Sequence, residues 1–219
     1  GLWLGDPEKL YQQMLPFHKA GYQIAMHANG DEAIEAGVGV FHRLLEAHPR
    51  FDHRHRLEHV QMASDAMFRR MKSLGICVNL FANHVYFWGD SHRHDTMGPA
   101  KARHLDAVGT AVRMGIPHSI HSDAPVTPLA PLFTMWCAVN RITSSGHVLG
   151  EAERISAIDA LRAVTIGSAY LLNCDEEYGS IEVGKFADFT VLSADPCAVD
   201  PMEIKDIQVI ATVLGGTVQ

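Results

Sequence analysis

The sequence predicts an α/β fold built on parallel strands, and three observations carry that reading. A helix-then-strand unit recurs four times up to about residue 125, polar residues collect where those strands end, and no G-x-G-x-x-G or P-loop accompanies them. The first unit is "DPEKLYQQMLPFHKAG" followed by "YQIAMH": Asp6 is placed to cap a helix, Pro7 occupies its first turn, Leu10, Met14 and Phe17 recur at helical spacing, and Gly21 stops it. The second is "DEAIEAGVGVFHRLLEAH" with "HRLEHV", the third "SDAMFRRMKSLG" with "ICVNLF", and the fourth "LDAVGTAVRMG" with "IPHSIHS". Gly75 and Gly115 take the helix-stop role in the last two. Short apolar strands alternating with amphipathic helices fit either a (β/α)8 barrel or an open doubly wound sheet. Polar clusters at the ends of several strands ("MHANGD", "LEHVQ", "IHSDAP") favour the barrel, because a doubly wound sheet gathers its ligand at one switch point. The third strand runs into Ala82 to His104, which lacks a strong period and reads as a substrate-facing loop. Beyond Asp123, "PLFTMWCAVNRI" and "SAIDALRAVTIGSAYLLN" read as two helices, and "YGSIEVGKFADFTVLSADP" and "IQVIATVLGGTVQ" as short strands of a smaller β element.

Composition narrows the class of function. The chain has 219 residues, 47% of them hydrophobic and 20% charged, enough apolar material for a substantial core. A formal charge of -7 without a dense Lys/Arg block argues against nucleic acid or anionic lipid as partner and leaves small molecules. No apolar run approaches the roughly 18 residues of a membrane helix, and "GLWLGDPEKL" lacks signal-peptide features, so a cytoplasmic protein is expected. Cys77, Cys137, Cys174 and Cys197 form no C-x-x-C and are expected as four buried, reduced thiols.

Fourteen histidines have to be sorted one by one. His18, His42, His48 and His104 stand beside charged residues and are expected on the surface. His27 and His59 each end an apolar strand, where a capping role and a metal role are both open, and Asp123 could simply cap the turn that Pro125 and Pro128 follow. Three such residues at three strand ends are hard to assign to chance. Neutral imidazoles with a carboxylate are what Zn²⁺ or a similar divalent ion takes, and convergence at one barrel mouth supplies the geometry. His121 shares strand parity with Asp123 and is expected to line the same pocket, whereas His118 is expected to face the helices. Two H-x-H triplets, His53-Arg54-His55 and His92-Arg93-His94, are expected to be solvated, the first because it lies at the wrong end of its strand. Ser122 lacks a nucleophile elbow and no cysteine has a neighbouring histidine, which disfavours covalent catalysis.

"HANGD", "EHVQ", "SDAPV" and "GSIEVGKFADFTVL", in that order over nearly the whole chain, resemble the amidohydrolase superfamily, in particular its branch of N-substituted formamide deformylases. The resemblance implies that His27 and His59 are the metal-binding histidines of the fifth and sixth barrel strands. It further implies that Asp123 is the metal-binding, proton-accepting aspartate of the eighth. It makes Tyr178 to Leu192 part of a small β-sandwich, with Lys185 and Asp188 structural. Members carry an H-x-H on the first strand and often a carboxylated lysine on the fourth, and this sequence supplies neither. The resemblance therefore implies the C-terminal half of a (β/α)8 TIM-like barrel over residues 1–175, with strands of the sandwich over 176–219.

For the parent enzyme this implies metal-dependent hydrolysis of an amide or N-acyl C–N bond, with a divalent ion, most simply zinc, lowering the pKa of its water to about 7. Asp123 would be the catalytic proton acceptor. Asn83, His84 and His121 are expected substrate contacts. The chain itself is expected to be an inactive fragment whose partner is the missing N-terminal half or a second copy. A non-catalytic half-barrel binding module, and a metal-dependent deaminase or C–O hydrolase, are the alternatives.

Overall fold

Each repeating unit starts and stops on the residues its local chemistry selects. The computed structural model describes residues 5–219. Asp6 accepts from the Glu8 backbone N–H and Pro7 begins α1 (Pro7–Lys19). β1 (Ala25–Ala28) and α2 (Asp31–Ala47) follow, then β2 (Arg56–His59) and α3 (Asp65–Leu74), capped by the Ser64 side chain and ended by Gly75 in the left-handed region. After β3 (Cys77–Leu80) come α4 (His84–Ser91), a π-helical turn over His92–Thr96, α5 (Pro99–Ala102) and α6 (Val108–Met114), which stops on Gly115, again left-handed. β4 (His118–Ile120) precedes α7 (Pro131–Asn140), α8 (Ala157–Val164) and α9 (Ile166–Leu171). The chain ends with β5 (Phe189–Leu192), β6 (Val209–Leu214) and β7 (Thr217–Val218).

The first four strands form one parallel sheet in the order β1-β2-β3-β4, and the last three form a separate antiparallel sheet. Strand order that follows chain order has no switch point, which removes the doubly wound alternative for these strands. The core lies between the parallel sheet and its helices. Leu57, Val78, Phe41, Phe68 and Met71 are wholly buried there, and Gly37 of α2 lets Leu57 approach closely.

The opposite face of the sheet is polar. His27, Glu58, Asn79 and Ser119 lie in register across the four strands. Asn79 Nδ2 donates to Glu58 Oε2 and Ser119 Oγ donates to Asn79 Oδ1, each at 2.6 Å, and Arg56 Nε donates to Glu58 Oε1 at 2.6 Å. The strands are thus tied laterally by side chains as well as by backbone bonds.

Several expectations are corrected. Ala82 to His104 is largely helical rather than a loop, because Val85 of α4 and Ala102 of α5 pack with Leu105 and the distant Leu149 in a small core of their own. The segment expected as one helix after Ser156 divides at Thr165, whose φ and ψ of -119° and -97° interrupt it. Phe17 is exposed, and α1 turns His18 inward instead. His53 and His55 are likewise buried rather than solvated: the His55 ring is hydrogen-bonded to His18, and His53 Nδ1 accepts from the His55 backbone N–H. All four cysteines are free, but Cys174 is half-buried and Cys197 exposed, so only Cys77 and Cys137 are the expected buried thiols. No helix among the described residues is long and apolar enough to cross a membrane.

Candidate functional site

The ends of β2 and β4 bring His59, His121 and Asp123 together, and β1 sets His27 beside His59. His27 lies on β1, and its ring centroid is 4.5 Å from that of His59 at the end of β2. His59 has the parity of the core-facing Leu57, yet its φ of 73° and that of Val60 at 54° turn the chain out of the strand at this point. On the far side, ligand atoms of His59, His121 and Asp123 all lie within 4.8 Å of one another. Asp123 also adopts a left-handed φ of 51°. A short polar turn with two consecutive non-glycine residues at positive φ is strained backbone, and here it delivers His59 beside both His27 and Asp123.

Burial keeps the two inner imidazoles neutral. His59 is held below the ordinary histidine range chiefly by burial, then by the neighbouring His27, with Asp123 acting in the opposite sense. His121 is pushed down to about 4, again mainly by burial and then by His59. The buried Nδ1 of His59 and Nε2 of His121 have no hydrogen-bond partner among the described residues. An unpartnered buried nitrogen on the neutral His59 imidazole, beside the Asp123 carboxylate, is the donor chemistry a divalent ion takes, so these residues fit the group.

The three nearby residues are not equivalent donors. The Asp123 backbone N–H donates to His121 Nδ1 at 3.1 Å, which occupies that lone pair. A neutral His121 then carries its proton on Nε2 and presents a donor to the site, not a ligand. His59 and Asp123 have no such constraint, and His27, exposed on the edge strand, stands next to His59.

The remaining expected contacts separate. Asn83 is wholly buried; its amide donates to Thr127 Oγ1 at 2.8 Å, and Thr127 in turn donates to the Ser122 carbonyl. The Asn83 amide nitrogen therefore braces the loop that carries Asp123, while its Oδ1 has no partner among the described residues. His84 remains beside the site, its ring 6.3 Å from His59 and 4.0 Å from Phe81. His118 lies with Arg162, Ile166 and Gly167 on the helical side, as its parity requires. Lys185 donates to Ser180 and the Asp188 carboxylate accepts from the Gly215 backbone, both inside the C-terminal element. Asp106, wholly buried against His84, was not singled out from sequence, where it is one aspartate before an amphipathic helix. A cavity of about 460 Å³ opens beside the site between Gln61, Met62, Met67, Met97 and His104, without including His59 or Asp123 in its wall.

A parallel sheet with imidazoles and a carboxylate grouped at its strand ends defines an α/β protein with a candidate metal site. The amidohydrolase family model matches residues 6–219, and the chain belongs to that family. It is 31% identical over 225 residues to the Bacillus subtilis protein YtcJ, covering 100% of this chain and 41% of that one. It is also 31% identical to the N-substituted formamide deformylase of Arthrobacter pascens, covering 92% of this chain and 37% of the relative. The structure resembles an uncharacterized metal-dependent hydrolase from Pyrococcus horikoshii OT3 with a TM-score of 0.78 at 23% identity, over 92% of this chain and 40% of that one. The chain thus spans about two fifths of the length of these relatives.

Proposed function

We propose that this chain forms the C-terminal half of a (β/α)8 barrel, with strands of a small β-sandwich, in an enzyme that hydrolyses an amide or N-acyl C–N bond. The observation that supports the reading is the grouping of His59, His121 and Asp123 ligand atoms within 4.8 Å of one another, with the His27 ring beside His59 and the buried His59 Nδ1 without a partner among the described residues. Sequential strand order and the likeness to relatives that include a formamide deformylase support it. A divalent ion, most simply Zn²⁺, would be held by His27, His59 and Asp123, and when bound would polarise the substrate carbonyl and acidify water.

The chain's own residues then divide the work. The Asp123 carboxylate accepts a proton from the attacking water and returns it to the departing nitrogen. His121, neutral and held by the Asp123 backbone, offers its Nε2–H to an oxygen in the site. The register-matched row of Glu58, Asn79 and Ser119 forms a rigid polar floor beneath them. Further ligands and the other half of the barrel would come from polypeptide outside these 219 residues or from a second copy.

Zinc binding tests the proposal. The purified chain is expected to take up Zn²⁺ reversibly, and His59→Ala or Asp123→Ala to weaken it by at least about a hundredfold, more than loss of a supporting group costs. Unchanged affinity in both variants would refute the ligand assignment. Hydrolysis of a secondary amide is expected only once the complementary half is supplied.

A further inference from the structure

We propose that His84 is a substrate-binding residue that accepts a hydrogen bond from an amide N–H, with Asp106 as the positioning residue that makes it an acceptor. The assignment rests on the amide-hydrolysis reading above and deepens it, because it selects secondary amides within the class of substrates.

Hydrogen-bond polarity decides the matter. His84 Nδ1 lies 3.3 Å from Asp106 Oδ1, and a carboxylate can only accept, so the ring proton resides on Nδ1. In the neutral ring Nε2 is then left with its lone pair, and the hydrogen bond that the His84 ring makes among the described residues is the one through Nδ1. Asp106 cannot relax away from this duty. It is wholly buried, its backbone N–H donates to the Gln61 carbonyl at 3.0 Å, and its carbonyl accepts from the buried Arg141 at 2.9 Å. Arg141 is lowered to about 10 by burial, with Asp106 among the groups opposing that, so it stays cationic at neutral pH and offsets the carboxylate. Asp106 Oδ2 has no partner, so within this carboxylate the His84 ring is the sole side-chain hydrogen bond among the described residues.

The surroundings place the imidazole beside the reacting groups. Its ring packs 4.0 Å from Phe81 and 5.4 Å from Trp88, edge-on to the latter, and Phe81 also stacks on His121 at 5.0 Å. The two imidazoles flanking Phe81 have opposite polarity: His121 presents an N–H and His84 a lone pair. A secondary amide has both complements, a carbonyl oxygen to accept and an N–H to donate. An N-methylated tertiary amide has lost the donor and would leave the His84 lone pair facing a methyl group, an unpaired polar contact that costs affinity.

Two readouts test this on the zinc-loaded chain with ¹⁵N-labelled histidine. The His84 ring is expected to show a protonated Nδ1 and an unprotonated Nε2. N-butylformamide is expected to shift Nε2 and to bind about tenfold more tightly than N-methyl-N-butylformamide, the equivalent of one hydrogen bond. Asp106→Asn is expected to mix the tautomers and narrow the preference. Because a buried aspartate can be needed for folding, His84→Leu is the second variant: it should abolish the preference with zinc affinity unchanged, and His84→Gln, which retains an acceptor oxygen, should restore part of it. A proton on Nε2 in the parent chain, a preference that survives His84→Leu, or an Nε2 resonance indifferent to both amides while zinc is bound would each overturn the assignment. Failure to bind zinc through His59 and Asp123 would instead remove the hydrolase reading and this assignment with it.

Discussion

At the scale of single residues, the buried histidines show how hydrogen bonding alone fixes protonation. The Ile24 backbone N–H donates to His55 Nδ1 at 3.0 Å, so a neutral His55 donates from Nε2 to His18 Nδ1 at 2.8 Å, and His18 Nε2 donates to the His48 carbonyl at 2.7 Å. The His55 backbone N–H donates to His53 Nδ1, and His53 Nε2 to the Leu74 carbonyl. Each of the three rings accepts at Nδ1, which only a neutral ring can do, and a proton on His55 Nδ1 would confront the Ile24 N–H. Burial accordingly pushes His55 down to about 3, with His53, His18 and Arg50 adding to it, and lowers His18 and His53 as well. Unfolding releases these rings to titrate near pH 6.5, so their contribution to stability is full above that value and falls as pH drops toward the folded values. Urea denaturation of the metal-free chain is expected to show stability declining below pH 6.5 by up to about 1.4 kcal/mol per pH unit for each such ring. His55→Asn, which keeps an acceptor without a comparable titration, is expected to be less stable at pH 7.5 but to lose less on acidification; an unchanged slope would refute the role of His55. None of this was legible from "HRH", which looks like a solvated cluster until the distant α1 is laid over it.

Among the elements, those ended by local chemistry were legible and those held by distant partners were not. Asp6, Gly75 and Gly115 mark their helix ends in the sequence because a cap or a left-handed residue acts within a turn or so. α4 had no readable period because its apolar face is short and is completed by Leu149, far along the chain. Arg141 is the joint of this region. It ends α7, is 1% exposed, and its guanidinium donates to the carbonyls of Leu149, Asp106 and Leu105. Replacing it with Met would leave three buried carbonyls without these donors, and a loss of about 3 kcal/mol or more is expected by chemical denaturation. Arg141→Lys should recover little, since a single ammonium cannot reproduce the planar fork; stability equal to the parent's would show that charge alone suffices. The same joint positions the Asp106 backbone, so thermal softening here should precede any change in the parallel sheet.

For the whole molecule, the candidate site was legible as strand-end residues, because ligands at the ends of parallel strands need no knowledge of loop structure. Which imidazole donates and which accepts was not legible, since that depends on contacts such as Asp123 to His121 and Asp106 to His84. The sheet faces have a further consequence. Ala25 and His27 on β1 are exposed, and the C-terminal element exposes Ile181, Val183, Val191, Ile210, Leu214 and Val218. Exposed strand edges and apolar sheet surface of this extent invite association. Sedimentation velocity is expected to show mass rising with concentration across the micromolar range, and Val191→Lys with Ile210→Lys to reduce it; a monomer at all concentrations would refute this expectation.

The left-handed backbone at His59, Val60 and Asp123 gives the site a history as well as a shape. Side chains that bear a Cβ are disfavoured in this conformation, so glycine would relax the turns at which two of the proposed ligands stand. Variants chosen only for greater thermal resistance would therefore drift toward emptying the site. His59→Gly and Asp123→Gly are expected to relax the backbone while removing the proposed ligands, so thermal resistance and zinc affinity should move in opposite directions.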